Sequence, residues 1–381
     1  MLPEDLRYVG VSDHDAPLFE NQFPLPCGMA YNAYVLRDEK TAVFDAVEAG
    51  GVDAWLNNVA QALDGRQPDY LIISHMEPDH SAGLAAFLNQ YPEVTVAATA
   101  KALQMLSAFY DVNPEKRLVV KDGDALSLGR HTLTFLTAPM VHWPEVMFTF
   151  DALDGTLFSA DAFGAFGAND GAASVDEARR YYFAIVAKYG AQVQAALNKV
   201  AGLPIRRICS LHGPVEQTDV AEKLRLYKVW ASYAPEGKGV VIAYTTVYGH
   251  TKAAAEALYE KLKAESKAPV ALYDLVHDDW SQAVADAFRY DKLVLATTTY
   301  NMGFFPPMRQ FIDHLAERGF RSRTVGLIEN GSWAPAAEKG MRAALDMCKD
   351  LTFCDQSVHI LSALNLDSRR ELEKLAGALR G

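Results

Sequence analysis

Four side chains of types that bind metal ions lie within six residues of one another, directly after an apolar segment at residues 70–73. They are His75, Glu77, Asp79 and His80. Imidazole and carboxylate groups bind borderline and hard metal ions, and four of them at one strand end can converge on a multiply charged centre. Burying these groups without a metal would be costly. The segment therefore predicts a metal centre, which two ions could share.

Three isolated residues further along the chain extend this set. His142, Asp161 and His212 each follow an apolar segment and lie near a Gly or Pro turn, so we expect them at the same edge of the fold. Seven nitrogen and oxygen ligands without a thiolate suit two borderline-to-hard metal ions rather than a structural zinc ion. The histidines that lack such a context are assigned to surfaces or ordinary hydrogen bonds: His14, His131, His277, His314 and His359.

A second candidate site follows the apolar segment 240–244 and opens a predicted helix. Its residues are Thr245, Thr246, Val247, Tyr248, Gly249, His250 and Thr251. Hydroxyl and backbone N–H groups at a strand-to-helix turn form an anion site suited to a phosphate monoester. The segment lacks both the spaced glycines of a dinucleotide fingerprint and the Gly-Lys-Ser/Thr of a P-loop. This pattern favours FMN over NAD or ATP.

Two further loops fall at predicted strand ends on the same edge, where doubly wound folds bind their ligands. Their candidate cofactor-binding residues are Thr298, Thr299, Tyr300, Asn301, Met302 and Gly303, followed by Asn330, Gly331, Ser332, Trp333 and Ala334. Tyr300 and Trp333 could flank an isoalloxazine ring, while Asn301 and backbone amides could tune its ring nitrogens.

The elements that must position these residues differ between the two parts of the chain. Up to about residue 232 the pattern indicates short strands and helices among many loops, with strands at 30–37, 41–45, 70–74, 94–98, 133–137, 146–151 and 207–210. Turn formers and charged residues at 233–239 interrupt this pattern. We therefore predict two domains, at residues 1–234 and 239–381.

The second domain shows a regular alternation of strands and helices. Strands are predicted at 240–244, 270–275, 292–297, 324–328 and 356–361, and helices at 251–265, 280–288, 306–318, 335–349 and from 368 onward. This alternation indicates a doubly wound, five-stranded parallel sheet.

Composition limits the possible functions. The chain has 381 residues, enough for two domains, and a net charge of −12 without a Lys/Arg cluster, so we expect no nucleic-acid partner. The apolar segments are of strand length, and the N-terminus carries Glu4, Asp5 and Arg7 rather than a signal sequence, so we expect no membrane span and a cytoplasmic location. The four cysteines form no C-x-x-C pair, which argues against a fused rubredoxin or a cysteine-held iron–sulfur cluster.

The order His-x-Glu-x-Asp-His, then His, Asp and His, resembles the metal pattern of the flavodiiron proteins, also called A-type flavoproteins. The segments around Tyr31, His142 and Asp161 are also similar to that family. Gly249-His250-Thr251 stands where the flavodoxin phosphate loop often has Gly-Asn-Thr. The resemblance covers essentially the whole chain, because the family continues into a flavodoxin-like domain at the predicted boundary.

The resemblance implies an α/β fold: an N-terminal αββα metallo-β-lactamase-like sandwich and a C-terminal flavodoxin-like domain. It implies two cofactors, a di-iron centre and FMN. One iron would be held by His75, Glu77 and His142 and the other by Asp79, His80 and His212, with Asp161 as the bridge.

The family's activity implies an oxidoreductase that takes electrons through FMN to the irons and reduces dioxygen to water, nitric oxide to nitrous oxide, or both. The electron donor would be a rubredoxin, a flavoprotein reductase or a reduced deazaflavin. Because the metal and FMN sites of one chain lie far apart in this family, a head-to-tail homodimer is expected, alone or within a tetramer. The preferred gas, the donor and the choice between dimer and tetramer stay open.

Two other function classes are compatible with parts of the sequence. One is a zinc metallohydrolase with an appended flavodoxin-like domain, and the other is an electron carrier whose metal domain binds or senses. Zinc hydrolases of the metallo-β-lactamase type commonly carry His-x-His-x-Asp-His, whereas Glu77 replaces the second His here. A carboxylate is a harder ligand than imidazole and favours ferric iron, so Glu77 argues against the hydrolase.

Overall fold

The computed structural model describes residues 2–110, 113–215 and 219–380. The chain divides into two compact units, the first ending at Ala231 and the second beginning at Ser232.

The first unit consists of short strands and helices. Its strands are β1 (Leu6–Tyr8), β2 (Val11–Asp13), β3 (Leu18–Phe19), β4 (Phe23–Pro24), β5 (Met29–Tyr31), β6 (Tyr34–Arg37), β7 (Thr41–Phe44), β8 (Tyr70–Ile72), β9 (Thr95–Thr99), β10 (Arg117–Val120), β11 (Ala125–Ser127), β12 (Thr132–Thr137), β13 (Met147–Asp151), β14 (Thr156–Phe158) and β15 (Arg207–Cys209). Its α-helices are α1 (Val52–Leu63), α2 (Pro78–Ser81), α3 (Leu84–Gln90), α4 (Ala100–Phe109), α5 (Val175–Tyr181), α6 (Gly190–Val200) and α7 (Val220–Ala231). Short 3-10 helices lie at Ala49–Gly51, Pro114–Lys116 and Ala187–Tyr189, and a π-helical turn at Tyr182–Val186 continues α5.

Two sheets form the centre of the first unit. One has the order β1-β6-β7-β8-β9-β10, parallel from β7 to β10, and the other has the order β11-β12-β13-β14-β15. Their inner faces share one apolar core, in which the rings of Phe44 from β7 and Phe158 from β14 stack at a centroid distance of 3.9 Å. Helices α1 and α4 pack on the first sheet. The segments after β8, β12, β14 and β15 carry the seven candidate metal ligands.

One predicted strand, 30–37, is two strands in the structure. β5 and β6 are separated at Asn32, whose backbone N–H donates to the carbonyl of Leu211 at 2.7 Å. The Asn32 side-chain amide also donates to the carbonyls of Ser210 and Gly213, at 3.0 and 2.9 Å. The chain is interrupted here because Asn32 anchors the loop that carries His212.

The second unit is a parallel sheet with helices. Its strands are β16 (Gly237–Tyr244), β17 (Val270–Asp274), β18 (Tyr290–Tyr300), β19 (Gly303–Phe304), β20 (Thr324–Asn330), β21 (Thr352–Phe353) and β22 (Val358–Ile360), and its helices are α8 (His250–Glu265), α9 (Trp280–Arg289), α10 (Pro306–Glu317), α11 (Ala337–Leu345) and α12 (Leu366–Leu379). The sheet order is β17-β16-β18-β20-β21, with β22 also parallel to β20, and β19 pairs antiparallel with β18.

The doubly wound parallel sheet predicted from the sequence is therefore confirmed, with one correction at its fifth position. The predicted strand 356–361 is only the second of two pieces, because β21 pairs with the start of β20 and β22 with its end. The chain leaves the sheet between them, where the Ser357 hydroxyl donates to Glu338 at 2.8 Å. Helix α11 (Ala337–Leu345) is also shorter than the predicted 335–349. It begins later because the backbone N–H of Ala336 donates a hydrogen bond to the hydroxyl of Thr299 at 2.9 Å.

Arg323 ties together the end of the second unit where β16, β18 and β20 begin. It is 2 % exposed, and its guanidinium donates to the backbone carbonyls of Phe288 and Tyr290, at 2.6 and 2.7 Å, and of Tyr233, at 2.9 Å. Burial lowers the pKa of Arg323 to about 10. Only a planar fork of five donors reaches carbonyls in such different directions.

We expect Arg323→Lys to lower the free energy of unfolding by about 1–3 kcal/mol, because a single ammonium group leaves at least one of these buried carbonyls without a donor. Urea denaturation followed by far-UV circular dichroism measures the change. Arg369→Lys, at an exposed position on α12, is the matched control and should change stability by less than about 0.5 kcal/mol. Equal stability of both variants would show that the guanidinium geometry is dispensable.

Candidate metal centre and flavin cavity

The seven candidate metal ligands lie together in the first unit as two adjoining groups. In each group every residue offers one ligand atom, and these atoms lie within 4.8 Å of one another. The first group is His75, Glu77, His142 and Asp161, and the second is Asp79, His80 and His212. The structure thus brings together residues from four separate loops.

The first group converges through imidazole Nε2 and carboxylate oxygen atoms. Nε2 of His142 lies 3.0 Å from Oε2 of Glu77 and 3.0 Å from Oδ2 of Asp161. Nε2 of His75 lies 3.1 Å from the same Glu77 oxygen and 3.5 Å from Oδ2 of Asp161. These four side chains surround one position that a cation could take.

The second group has the same character. Nε2 atoms of His80 and His212 face each other at 2.9 Å, and they lie 3.4 and 3.2 Å from Oδ2 of Asp79. The other oxygen of Asp161, Oδ1, is 3.2 Å from His80 and 3.8 Å from His212. The Asp161 carboxylate therefore faces the first group with one oxygen and the second group with the other.

Several buried polar atoms at this centre have no hydrogen-bond partner among the described residues. They are both carboxylate oxygens of Asp79, Nε2 of His142 and Oδ1 of Asp161. Unsatisfied buried polar groups are rare and costly, and two facing imidazole nitrogens can share at most one proton between them. The residues present fit a pair of metal ions, which would satisfy these atoms together.

Electrostatics in this cluster favour charged side chains. Burial opposes ionisation of Asp161, but the adjacent imidazoles of His75, His142 and His80 hold its pKa well below the usual range. Burial likewise disfavours the charged forms of Glu77 and His142, yet close contacts between imidazole and carboxylate lower the pKa of Glu77 to about 2 and raise the pKa of His142 to about 9. The carboxylates of Asp161 and Glu77 are therefore anionic and available as ligands at neutral pH.

Two residues outside the predicted set hold the loop of ligands in place. Asp45, directly after β7, accepts hydrogen bonds from the backbone N–H groups of Ser74 and His75, at 2.6 and 3.3 Å. Glu145 accepts from Nδ1 of His75 at 2.7 Å. In the sequence Asp45 ended an apolar segment and Glu145 preceded one, but nothing in their spacing indicated that they contact His75.

The metal cluster opens to the surface through a cavity of about 480 Å³. Its wall includes the ligands Glu77 and Asp79 and the side chains of Phe19, Glu20 and Tyr31. A small molecule can therefore reach the two carboxylate ligands from this side.

The second unit contains a cavity of about 720 Å³ at the carboxyl ends of its parallel strands. It is lined by Thr246, Val247, Tyr248, His250, Thr251, Thr298, Thr299, Tyr300, Asn301, Met302, Asn330, Gly331, Ser332, Trp333, Ala334 and Ser362. Of the residues expected at a flavin, Thr245, Gly249 and Gly303 are not part of the lining. Thr245 is instead buried beneath it, with its hydroxyl 2.6 Å from that of Thr297. Ser362 was missed, although it follows a strand that ends at the same edge.

One end of this cavity is the N-terminus of α8. The residue before the helix, Gly249, has φ of 90°, and no side chain caps the helix there. The backbone N–H of Gly249 donates a hydrogen bond to the hydroxyl of Thr246 at 3.0 Å. The uncapped N–H groups of the first helical turn are left for an anion, as a phosphate site requires.

The aromatic residues of the other loops lie at the mouth of the cavity. Trp333 is 89 % exposed, so its ring does not pack within its own loop. Tyr300 is partly exposed and contacts Phe305 edge-on at a centroid distance of 5.3 Å. Both rings could cover a planar ligand.

The chain matches two protein-family models. "ODP family beta lactamase" matches residues 29–213, and "Flavodoxin domain" matches residues 241–354. The anaerobic nitric oxide reductase flavorubredoxin of Escherichia coli O1:K1 is 26 % identical over 351 residues, which cover 88 % of this chain and 73 % of that protein.

Solved structures match over nearly the full length. The rubredoxin oxygen:oxidoreductase of Desulfovibrio gigas has a TM-score of 0.89 and 26 % identity, covering 100 % of this chain and 98 % of that one. The flavodiiron protein of Giardia intestinalis shares the fold, with a TM-score of 0.92 at 22 % identity, covering 99 % and 95 % of the two chains. The predicted fold class, with a metallo-β-lactamase-like and a flavodoxin-like domain, is thereby confirmed.

Among the described residues, none of the helices combines the length and the apolar character needed to span a membrane. Both domains occur in the order expected from the sequence, and the structure of the Desulfovibrio gigas oxidoreductase matches the chain over its whole length. The chain belongs to the flavodiiron protein family.

Proposed function

We propose that this protein is an oxidoreductase that reduces dioxygen to water, nitric oxide to nitrous oxide, or both, with electrons from an external donor delivered through FMN to a di-iron site. The observation that carries the proposal is the position of Asp161, whose two oxygens face two adjoining ligand groups. The names of the relatives support it, since one is a nitric oxide reductase and another a rubredoxin oxygen:oxidoreductase.

The metal ligands have separate roles in this proposal. His75, Glu77 and His142 would hold one iron, Asp79, His80 and His212 the other, and Asp161 would bridge them. When bound, a di-iron pair supplies two reducing centres at which a diatomic gas is reduced. Glu77 adds a negative charge to the first group and favours a hard, highly charged ion over zinc.

The cavity in the second unit is proposed to bind FMN. The N-terminus of α8 would hold the phosphate, with hydroxyls of Thr246 and Thr251 beside it, and Tyr300 and Trp333 would cover the ring. When bound, FMN transfers electrons one at a time from a two-electron or one-electron donor. The eighteen residues from 245–251, 298–303 and 330–334 remain our proposed contact set, to which Ser362 is added.

Domain bounds, partners and location complete the proposal. Residues 1–234 would form the di-iron domain and residues 239–381 the FMN domain. The donor would be a rubredoxin, a flavoprotein reductase or a reduced deazaflavin. A head-to-tail homodimer, alone or within a tetramer, would bring the FMN of one subunit to the irons of the other. The protein would act in the cytoplasm.

Anaerobic stopped-flow spectroscopy tests the function directly. Protein with measured iron and FMN content is fully reduced and mixed separately with dioxygen and with nitric oxide. We expect fast reoxidation of the flavin by at least one gas, and His142→Ala should abolish it because the first ligand group loses an imidazole. His14→Ala, at an exposed position, is the control and should react like the wild type.

The outcome also separates the alternatives. Fast reoxidation by one gas names the substrate. Slow reoxidation by both gases, in protein that holds zinc instead of iron, would contradict the proposal in favour of a metallohydrolase. Iron-loaded protein that does not consume gas over many turnovers would favour an electron carrier with a sensing domain.

A further inference from the structure

Glu145 is a buried carboxylate that none of the proposed metal positions uses as a ligand. It is 1 % exposed, and its Oε1 lies 2.7 Å from Nδ1 of His75. The same oxygen accepts a hydrogen bond from the backbone N–H of Met76 at 2.9 Å. The backbone carbonyl of Glu145 in turn accepts from the hydroxyl of Thr99 at 3.0 Å. The carboxylate is therefore held in one position against His75.

This contact decides which nitrogen of His75 faces the metal cluster. Because Nδ1 is bound to Glu145, Nε2 is the atom that lies 3.1 Å from Glu77 and 3.5 Å from Asp161. The ring of Trp143 packs edge-on against His75, with centroids 5.2 Å apart and an interplanar angle of 88°. The buried imidazole is thus fixed on two sides and keeps its orientation.

Two other ligand histidines, His212 and His80, have different partners on their outward nitrogen atoms. Nδ1 of His212 faces a neutral acceptor, the carbonyl of Ala30, at 3.0 Å. Nδ1 of His80 has no hydrogen-bond partner among the described residues. In the described part of the chain, His75 alone of these three histidines has a carboxylate on its outward nitrogen. The two ligand groups are therefore electrically unequal.

We propose that Glu145 is a positioning residue of the metal centre: it holds His75 with Nε2 towards the first metal position and makes this imidazole a stronger donor than His80 or His212. The inference rests on the proposed function and deepens it. A carboxylate that accepts the outward N–H of a ligand histidine fixes its tautomer and raises its basicity. A more basic ligand stabilises the more highly charged ion, so Glu145 tightens metal binding and lowers the reduction potential of the iron pair.

The test compares Glu145→Gln with the wild type in the full chain, loaded anaerobically with ferrous iron. The amide has the same shape but no charge, so the fold is preserved while the hydrogen bond to His75 weakens. We expect iron affinity, measured by competition with a chelator, to fall about 10- to 100-fold. We also expect the reduction potential of the iron pair, from an EPR-monitored redox titration, to shift upward. A purely structural role would not move the potential of an isosteric variant that keeps its iron.

The chain supplies a matched control in a second buried carboxylate–imidazole pair. Asp151 lies 2.8 Å from Nδ1 of His131, and neither residue belongs to the metal cluster. Asp151→Asn should leave iron affinity and potential unchanged. Glu145→Asp, which keeps the charge on a shorter side chain, should recover part of the affinity and of the potential if the charge is what matters.

The outcomes distinguish the role of Glu145 from the proposed function of the protein. Wild-type affinity and potential in Glu145→Gln, or equal changes in Asp151→Asn, would overturn the role of Glu145 and leave the proposed function intact. Wild-type protein that binds no iron at all would instead overturn the proposed function. In that case the affinity comparison, repeated with Zn²⁺, decides the positioning role on its own.

Discussion

Asp161→Asn will prevent the binding of a metal pair and abolish gas reduction. One Asp161 oxygen lies 3.0 Å from His142, and the other lies 3.2 Å from His80, so the carboxylate serves both ligand groups. An asparagine keeps one oxygen but turns an NH₂ donor towards the other group, which repels a cation there. Removal of a residue that only supports a metal ligand lowers metal affinity roughly 10- to 100-fold. The loss of iron affinity in Asp161→Asn should be larger than that.

Iron content per chain, measured by elemental analysis after desalting, and gas consumption with an electrode check this expectation. Asp122→Asn is the control. Asp122 is partly exposed, lies outside the metal cluster and forms an ion pair with Lys199 at 2.7 Å. FMN content should be the same in all three proteins. Full iron occupancy and normal gas consumption in Asp161→Asn would show that the two groups do not share a bridging carboxylate.

The flavin-free protein will bind FMN at least about a hundredfold more tightly than riboflavin, which lacks the phosphate. Hydrogen bonds to charged groups contribute about 1.5–3 kcal/mol each, and the uncapped N-terminus of α8 can provide two or more of them. Quenching of flavin fluorescence during titration of the apoprotein measures both affinities. Equal affinities would show that the phosphate does not occupy this helix end.

Gly249→Val locates the preference for the phosphate at that turn. The added Cβ would meet no heavy atom within 4 Å, but Gly249 has φ of +90°, which a β-branched residue adopts only at a cost of about 1–2 kcal/mol. FMN affinity should fall roughly tenfold, while riboflavin affinity should stay the same. Gly237→Val is matched in its open space and lacks the left-handed φ, so it should leave both affinities unchanged.

The local sequence pattern was informative wherever neighbouring residues determine the structure. Alternation of strands and helices after residue 239 was sufficient to predict a doubly wound sheet, because each element there carries its own periodicity and turn residues. The local pattern failed to predict the breaks in the strands at Asn32 and at residues 352–360. There the strands are interrupted by hydrogen bonds to other parts of the chain. No local periodicity reports such contacts.

The metal cluster, too, was predicted partly from local sequence and partly from information that the local sequence does not contain. Residues 75–80 are close in sequence and follow one strand, so their shared direction could be inferred from the chain alone. His142, Asp161 and His212 were assigned to the same centre through residue type, through their positions after apolar segments and through resemblance to a family, not through any distance.

Several features of the centre required the folded chain. The two sheets place four loops at one edge, and this packing sets Asp161 between the two ligand groups and Glu145 behind His75. The contact between Glu145 and His75 joins residues 70 positions apart, and it depends on which sheet faces are buried against each other rather than on the pattern of either segment. The residue types thus determined which chemistry is possible, while long-range packing determined which side chains share the charge of the metal.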